Sequence, residues 1–485
     1  MTPSVSILQI SDLHREHSSP IRNDVLLSSL QNDRDRYVLG RDGPAIRPPD
    51  IIVVSGDVIR GVVPGIVDYE AQLAGQYEEA VDFLNALVQR LLAGDRNHLV
   101  LVPGNHDVSA CHFLNSLKPL EVVNDSKKEI LSQLFHPGSR LRWSWQDLGL
   151  FKVIDEEFYA QRLAPFASFY AEFYQDKRTF NLDPANQVEV FDYPNFNLAI
   201  VGFSSCHEND FFNKQGAIHP GCIADASLSL RDPRFNDRLR VAVWHHNTEG
   251  SPTQMDYMDA GILQNLIDSG FGVGFHGHQH HPHCFDTRFR FGGDTRISVI
   301  SSGTLCGSAS PRFGRAYNIV ELDVERQIGR LHVREMLNDD LERPIWGCRP
   351  LPPDTTPYLD FSFDPPPTST VEPSLATTTL LKAQYLYDAG EHAETAELLL
   401  PLAATDDLAR RLLLDCLGQL NDSTRIAVYF DPPQSDTEAI YLMEALWEIR
   451  DTDRLNVLVN LPIVAKSNDP SVIETREKYK ARLAR

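Results

Sequence analysis

Five short segments carry side chains able to hold metal ions: Asp12-Leu-His14, Gly56-Asp57, Gly104-Asn-His-Asp107, His245-His246 and Gly277-His-Gln-His280. Their donors are carboxylate oxygens, one amide oxygen and imidazole nitrogens, a set that suits Mn²⁺, Fe or Zn²⁺. No Cys falls among them, which disfavours a thiolate structural site. Asp12, His14, Asp57, Asn105, His245, His278 and His280 are more ligands than one ion accepts while leaving room for a substrate. Two ions are therefore implied. If Asp57 bridges them, both keep open positions, and the chemistry open to such a pair is hydrolytic: activation of water beside a clamped phosphate. Singly, an Asp-x-His or a Gly-Asp at a strand end reads as a turn or a helix cap, so the combination carries the argument. Of His245 and His246 only one is needed, and spacing alone does not choose.

The elements that must bring these segments together are legible as short apolar runs. Val5-Ser-Ile-Leu-Gln-Ile10, residues 50–54 and residues 98–102 read as buried strands running straight into the first three motifs. Residues 197–203, 239–244, 271–275, 296–300, 317–322 and 330–334 read as further strands, and 69–92 and 255–267 show helical spacing. This alternation predicts an α/β domain. Gly56 and Gly104 are expected to let backbone approach the metal cluster where a side chain would crowd the ligands.

In this order, each after a predicted strand, the motifs resemble the signature of the calcineurin-like metallophosphoesterase superfamily over residues 1–335. The resemblance implies a β-sandwich flanked by helices and two divalent transition ions, Mn²⁺ first with Fe or Zn²⁺ as alternatives. It implies that Asp12, His14, Asp57 and His280 hold one ion, and Asp57, Asn105, His245 and His278 the other. On the same resemblance, a hydroxide bridging the ions would attack phosphorus in line, and His106 would be the general acid for the leaving oxygen, with Asp107 holding its imidazole in one tautomer. Asn247 follows the paired histidines where many relatives continue into prolines. His276, His281 and His283 are read as supporting or solvated residues, and Arg15 either as a phosphate contact or as a surface ion pair.

The expected organisation is a metallophosphoesterase domain over 1–343, with a helical cap inserted at 111–194. A Pro-rich linker at 344–376 and a C-terminal all-α region at 377–485 follow. The cap's aromatics, from Trp143 and Trp145 to the run 158–174, are expected to pack its own small core rather than to stack a base. Residues 383–396 look like one tetratricopeptide-type hairpin, with no clean repeat after it. The formal charge of -22 argues against avid nonspecific binding of nucleic acid. Seven scattered Cys fit reduced thiols. With no membrane span and no signal peptide read, a cytoplasmic location is expected. The expected substrate is a phosphate ester, with a phosphodiester or nucleotide favoured. The alternatives are a DNA nuclease, against which the missing basic stripe counts, and a phosphatase recruited to a protein partner through the C-terminal helices.

Overall fold

The computed structural model describes residues 4–120, 130, 134, 139–250, 255–288, 295–309, 313–338, 340–351, 355–365, 375–388, 390–467 and 469–483. Its contacts divide the chain into two compact units, Met1–Glu372 and Pro373–Arg485.

The first unit is mixed α/β, built on two sheets. From edge to edge, the first orders Trp346–Cys348, Ile328–Met336, Ala316–Asp323, Val5–Ile10, Ile51–Ser55 and Leu99–Val102, with Leu359–Ser362 also paired to Ile328–Met336. The second orders His283–Arg288, Arg296–Ser301, Phe271–His276, Leu239–Val243, Leu198–Phe203 and Val188–Tyr193. The parallel strands at the centre of each sheet are buried along their length because both faces are covered, as parallel pairing with helical crossovers requires. Ile51, Ile52, Val53 and Val54 are each fully buried, and each such side chain contributes about 1.5–3 kcal/mol relative to exposure. Both sheets feed one apolar core, to which the long helix Tyr69–Leu91 adds its buried face.

Register sets the site. Ile10 lies opposite Val54 and Val54 opposite Leu101 in parallel pairs, so three chain segments leave the first sheet level with one another. In the second sheet Val243 lies opposite Phe275, also in parallel. All five motifs thus emerge at carboxyl ends of parallel strands, where α/β folds gather their chemistry. A polar staple fastens the two sheets beside this rim. The buried Gln9 donates through Nε2 to the carbonyls of His276 (2.9 Å) and Ile300 (3.2 Å), and its Oε1 accepts from Asn318 Nδ2 at 2.9 Å.

Four expectations are corrected. The insertion is a mixed cap: beside helices Ala110–Asn115 and Glu156–Ala160 it holds a three-stranded sheet of Leu117–Pro119, Gly149–Val153 and Leu141–Ser144. Most of 121–138 lies outside the described residues. Phe166, Phe169, Tyr170 and Phe173 of the helix Ala164–Phe173 are buried in the main core rather than in a separate cap core. The helix expected over 255–267 spans Gly261–Asp268. The Pro-rich stretch is no free linker up to 362, since Trp346–Cys348 and Leu359–Ser362 both pair with Ile328–Met336. Pro350 and Pro357 lie between these two strands, outside the paired residues, so no ladder hydrogen bond is lost to them. Residues 366–374 of the expected linker lie outside the described residues.

The second unit is all-helical. The expected hairpin is present as Leu375–Asp388 and His392–Leu399. Two more long-short pairs follow, Asp407–Gln419 with Ser423–Tyr429 and Asp436–Glu448 with Thr452–Leu458. Their turns share one device: a left-handed residue, Asn421 (φ 51°) or Arg450 (φ 61°), then an Asp whose side chain caps the next helix through Arg425 N or Arg454 N.

Candidate metal centre

The five motif loops bring all seven expected ligands to one place. On one side, His280 Nε2 lies 3.3 Å from Asp12 Oδ1 and 3.5 Å from His14 Nε2. On the other, His245 Nε2 lies 3.3 Å from Asp57 Oδ2 and 3.1 Å from Asn105 Oδ1, whose oxygen is also 3.0 Å from His278 Nδ1. Asp57 Oδ2 is 3.9 Å from His14 Nε2, so it faces both halves. Three sets of donors each lie within 4.8 Å of one another: Asp12, His14 and His280; Asp57, His245 and His278; and His14, Asp57 and His106.

Hydrogen bonds behind the ligands decide which ring nitrogen faces inward. A backbone carbonyl only accepts, so the nitrogen beside it carries the ring hydrogen. Ser55 O holds His245 Nδ1 at 2.8 Å, Ser308 O holds His280 Nδ1 at 3.0 Å, and Asp256 O holds His278 Nε2 at 2.8 Å. In each neutral ring the other nitrogen is bare, and it points at carboxylate, amide or imidazole lone pairs. Such an arrangement calls for a proton or a cation. Asp12 Oδ1, fully buried, makes no hydrogen bond although His280 stands beside it. The residues present therefore fit two divalent ions.

Electrostatics point the same way. Burial opposes a charge on His245, but Asp57 and then Asp12 outweigh it and raise its pKa to about 9. Burial likewise opposes charging of His280, and Asp12 raises it to about 9. Against its own burial, Asp12 is lowered to about 2 by His280 and His245, and Asp57 is held well below its usual range chiefly by His245 and His106. Metal-free protein thus stores protons where cations belong. Because both His pKa values exceed the unfolded value of about 6.5, their stabilisation is complete below that pH and is lost as pH rises through about 9. Chelator-treated protein should therefore lose urea resistance from pH 6.5 to 9, by up to about 1.4 kcal/mol per pH unit for each group. Loading with Mn²⁺ should abolish that slope and release protons. A urea midpoint that stays flat without metal would contradict this account.

The loops are strained to make these contacts. Asp12 (φ 53°), His14 (43°), Asp57 (51°), His278 (73°) and His280 (55°) all have left-handed backbone, which costs of order 1–3 kcal/mol each and persists only when surroundings over-determine it. Backbone bonds from Asp12 N to Gly56 O and from His14 N to Asp57 O, both 3.1 Å, supply part of that restraint. The expectation for the two glycines is met: a Cβ on Gly56 would lie 2.4 Å from His245 Nδ1, and one on Gly104 would lie 2.2 Å from Asp57 Oδ1.

His106 stands at the rim with its side chain 41% exposed, Nε2 3.9 Å from Asp57 Oδ2 and Nδ1 2.6 Å from Arg60 O. Here the structure departs from expectation. The buried Asp107 does not hold that imidazole: its Oδ2 accepts from Gly104 N (2.8 Å) and Val58 N (3.2 Å), and its Oδ1 from Tyr77 OH (3.4 Å). It clamps two motif loops together, while the Arg60 carbonyl sets the tautomer of His106. Burial, and then the charge of Asp57, push the Asp107 carboxyl up to about 7. Arg15 is no phosphate contact and no surface pair either. It is fully buried, donating to Ile21 O at 3.0 Å and lying 3.8 Å from Glu79.

Of the paired histidines, His245 faces the ligands. Both ring nitrogens of His246 are engaged elsewhere, with Ser205 Oγ at 2.8 Å and the Asn209 amide at 3.3 Å. Burial and the neighbouring His278 and His245 hold its pKa well below the usual range, so it is neutral. His276 is buried, stacked on Trp244, and His281 stacks on Phe313. Sequence reasoning missed Ser55, Arg60, Asp256 and Ser308, because the groups they contribute are backbone carbonyls that no residue type announces.

The family model described as calcineurin-like phosphoesterase matches residues 5–282. No curated protein matches the chain. Among solved structures, a purple acid phosphatase from yellow lupin seeds (Lupinus luteus) is similar at 10% identity and a TM-score of 0.38, with 69% of this chain and 52% of that one covered. The chain thus spans about half the length of that phosphatase. Vps29 from Chaetomium thermophilum is similar at 8% identity and a TM-score of 0.27, covering 74% of this chain and 98% of that one. A phosphopantetheinyl hydrolase from Mycobacterium tuberculosis is similar at 14% identity and a TM-score of 0.24, covering 63% and 91%.

Proposed function

The chain belongs to the calcineurin-like phosphoesterase family, and from that premise we propose that it is a dinuclear metal-dependent phosphoesterase acting on small phosphodiesters or nucleotides. The observation that carries this reading is the two donor clusters Asp12, His14, His280 and Asp57, His245, His278, linked by the set His14, Asp57 and His106, in which backbone carbonyls turn bare imidazole nitrogens toward oxygen donors. On this reading Asp12, His14, Asp57 and His280 hold one ion, and Asp57, Asn105, His245 and His278 the other. Oxygen and imidazole donors favour Mn²⁺, with Fe or Zn²⁺ next. Such ions, when bound, lower the pKa of water and neutralise charge on phosphate oxygens.

The protein's own part is positional and protic. His106 commits Nδ1–H to Arg60 O, which leaves Nε2 at the exposed rim; as the imidazolium, the ring gives its Nε2 proton to the leaving oxygen and returns to the neutral Nδ1–H tautomer. Asp107 keeps the loops bearing Asp57 and Asn105 in register through Val58 N and Gly104 N. The net charge of -22 favours a small substrate over a DNA polyanion.

The test is direct. Chelator-dialysed protein should not hydrolyse bis-(p-nitrophenyl) phosphate, and added Mn²⁺ should restore turnover. Rates on the mono-ester and on single- and double-stranded DNA should be lower. Faster cleavage of DNA would move the assignment to a nuclease, and no turnover of any ester with Mn²⁺, Fe or Zn²⁺ would end it.

A further inference from the structure

The His245/His278 half of the centre leans on a loop, residues 204–216, that contributes no ligand. Ser205 Oγ accepts the backbone N–H groups of both His245 and His246 at 3.1 Å. With both lone pairs used, its hydroxyl hydrogen goes to His246 Nδ1 at 2.8 Å. The Asn209 amide lies 3.3 Å from the other nitrogen; with Nδ1 accepting, the ring's single hydrogen sits on Nε2, and the amide closes it with its oxygen turned toward the ring. His246 is therefore locked at both ends. Its ring lies 5.2 Å from that of His245 and 4.9 Å from that of His278, so its position constrains both.

The other face of the loop is held by the cap. Arg162, 2% exposed, donates to the carbonyls of Asn209 (3.1 Å), Cys206 (3.0 Å) and His207, and its guanidinium lies 4.1 Å from the Tyr159 ring centroid. Asp210 Oδ2 receives Arg142 Nε at 2.6 Å and Tyr159 OH at 3.0 Å, while its Oδ1 takes Phe212 N (2.9 Å) and Asn213 N (2.8 Å). Burying two guanidinium groups is costly. Here Arg162 gives three of its four hydrogen bonds to the backbone of this one loop, and Arg142 gives one of its four to the Asp210 carboxylate that shapes it.

We infer that Asn209 is a positioning residue for the His245/His278 half of the metal centre, and that the inserted cap sets it through Arg162, Tyr159 and Asp210. The inference rests on the reading of His245 and His278 as ligands. It makes the insertion part of the metal site rather than only a cover over substrate, because removing support behind a ligand loosens the ion that the ligand holds.

The test is a Co²⁺ titration of the full chain, followed by visible absorption and calorimetry, on wild type, Asn209→Ala and Tyr159→Phe. Asn209→Ala should weaken one of the two ions by about 10–100-fold, alter its absorption band and leave the other ion unchanged. Tyr159→Phe removes one hydroxyl from the far side of the loop and should weaken the same ion by about 2–10-fold. It also decides the matter if the Asn209 variant fails to fold. Unchanged Co²⁺ affinities in both variants, with or without a lower melting temperature, would overturn the inference while leaving the phosphoesterase reading intact. A wild type that binds no Co²⁺ would instead bring down that reading, and this inference with it.

Discussion

Asp57→Asn should strip the protein of bound metal and cut turnover of a phosphodiester by at least about 10³-fold, since the ions supply several kcal/mol of charge stabilisation and each 1.4 kcal/mol is tenfold. The substitution is unusually clean. Asp57 sits at φ 51°, a left-handed conformation that Asn also tolerates, so the backbone of the loop need not move. Asn can still accept from His106 N, now at 2.8 Å from Oδ1. What is lost is the negative charge facing His245 at 3.3 Å and His14 at 3.9 Å, the one carboxylate shared by both halves. Elemental analysis of reconstituted protein should fall from two ions per chain to below one. Full occupancy in this variant would remove Asp57 from its bridging role.

His106→Asn should behave differently, keeping the metal and losing about 10²–10⁴-fold in kcat. The imidazole is 41% exposed and its side-chain hydrogen bond goes to a backbone carbonyl rather than to a candidate ligand, so folding and ion content should be little affected. A general acid matters in proportion to how poor the leaving group is. The loss should be large for an alkyl ester and small for a p-nitrophenyl ester, whose anion leaves without help. Equal losses on both esters, or metal depletion matching that of Asp57→Asn, would refute the acid role.

Much of this architecture was legible because parallel strands covered on both faces read as nearly continuous apolar runs. Each of 5–10, 50–54 and 98–102 leads directly into a motif, and the candidate donors that the structure gathers lie in the five motifs. Elements with mixed patterns escaped. Val188–Tyr193 and His283–Arg288 are edge strands rich in polar residues, and Asn23–Val38 is a helix whose charges hide its role. Asp33 in that helix is buried only because Arg334 and Tyr317, some 300 positions away, meet it. Asp107 shows the opposite failure. Being next to His106 in sequence suggested contact, but consecutive residues on a tight helical turn point in different directions. Its carboxylate turns inward to Gly104 N and Val58 N instead. Arg15 failed likewise, since nothing local reveals that its guanidinium is swallowed beneath Phe83.

The division of the ligands between two sheets also bears on biosynthesis. Asp12, His14, Asp57 and Asn105 leave the ribosome with the first sheet's parallel strands, but His245 follows Asn105 by 140 positions. At about 5–20 residues per second the nascent protein carries this half-cage for roughly 7–28 s. On the proposed ligand set, neither ion would have a complete coordination shell throughout that interval. Metallation therefore belongs to the end of translation, when the second sheet arrives, and a chain interrupted before it retains only loose, exchangeable contacts with whatever ion it meets.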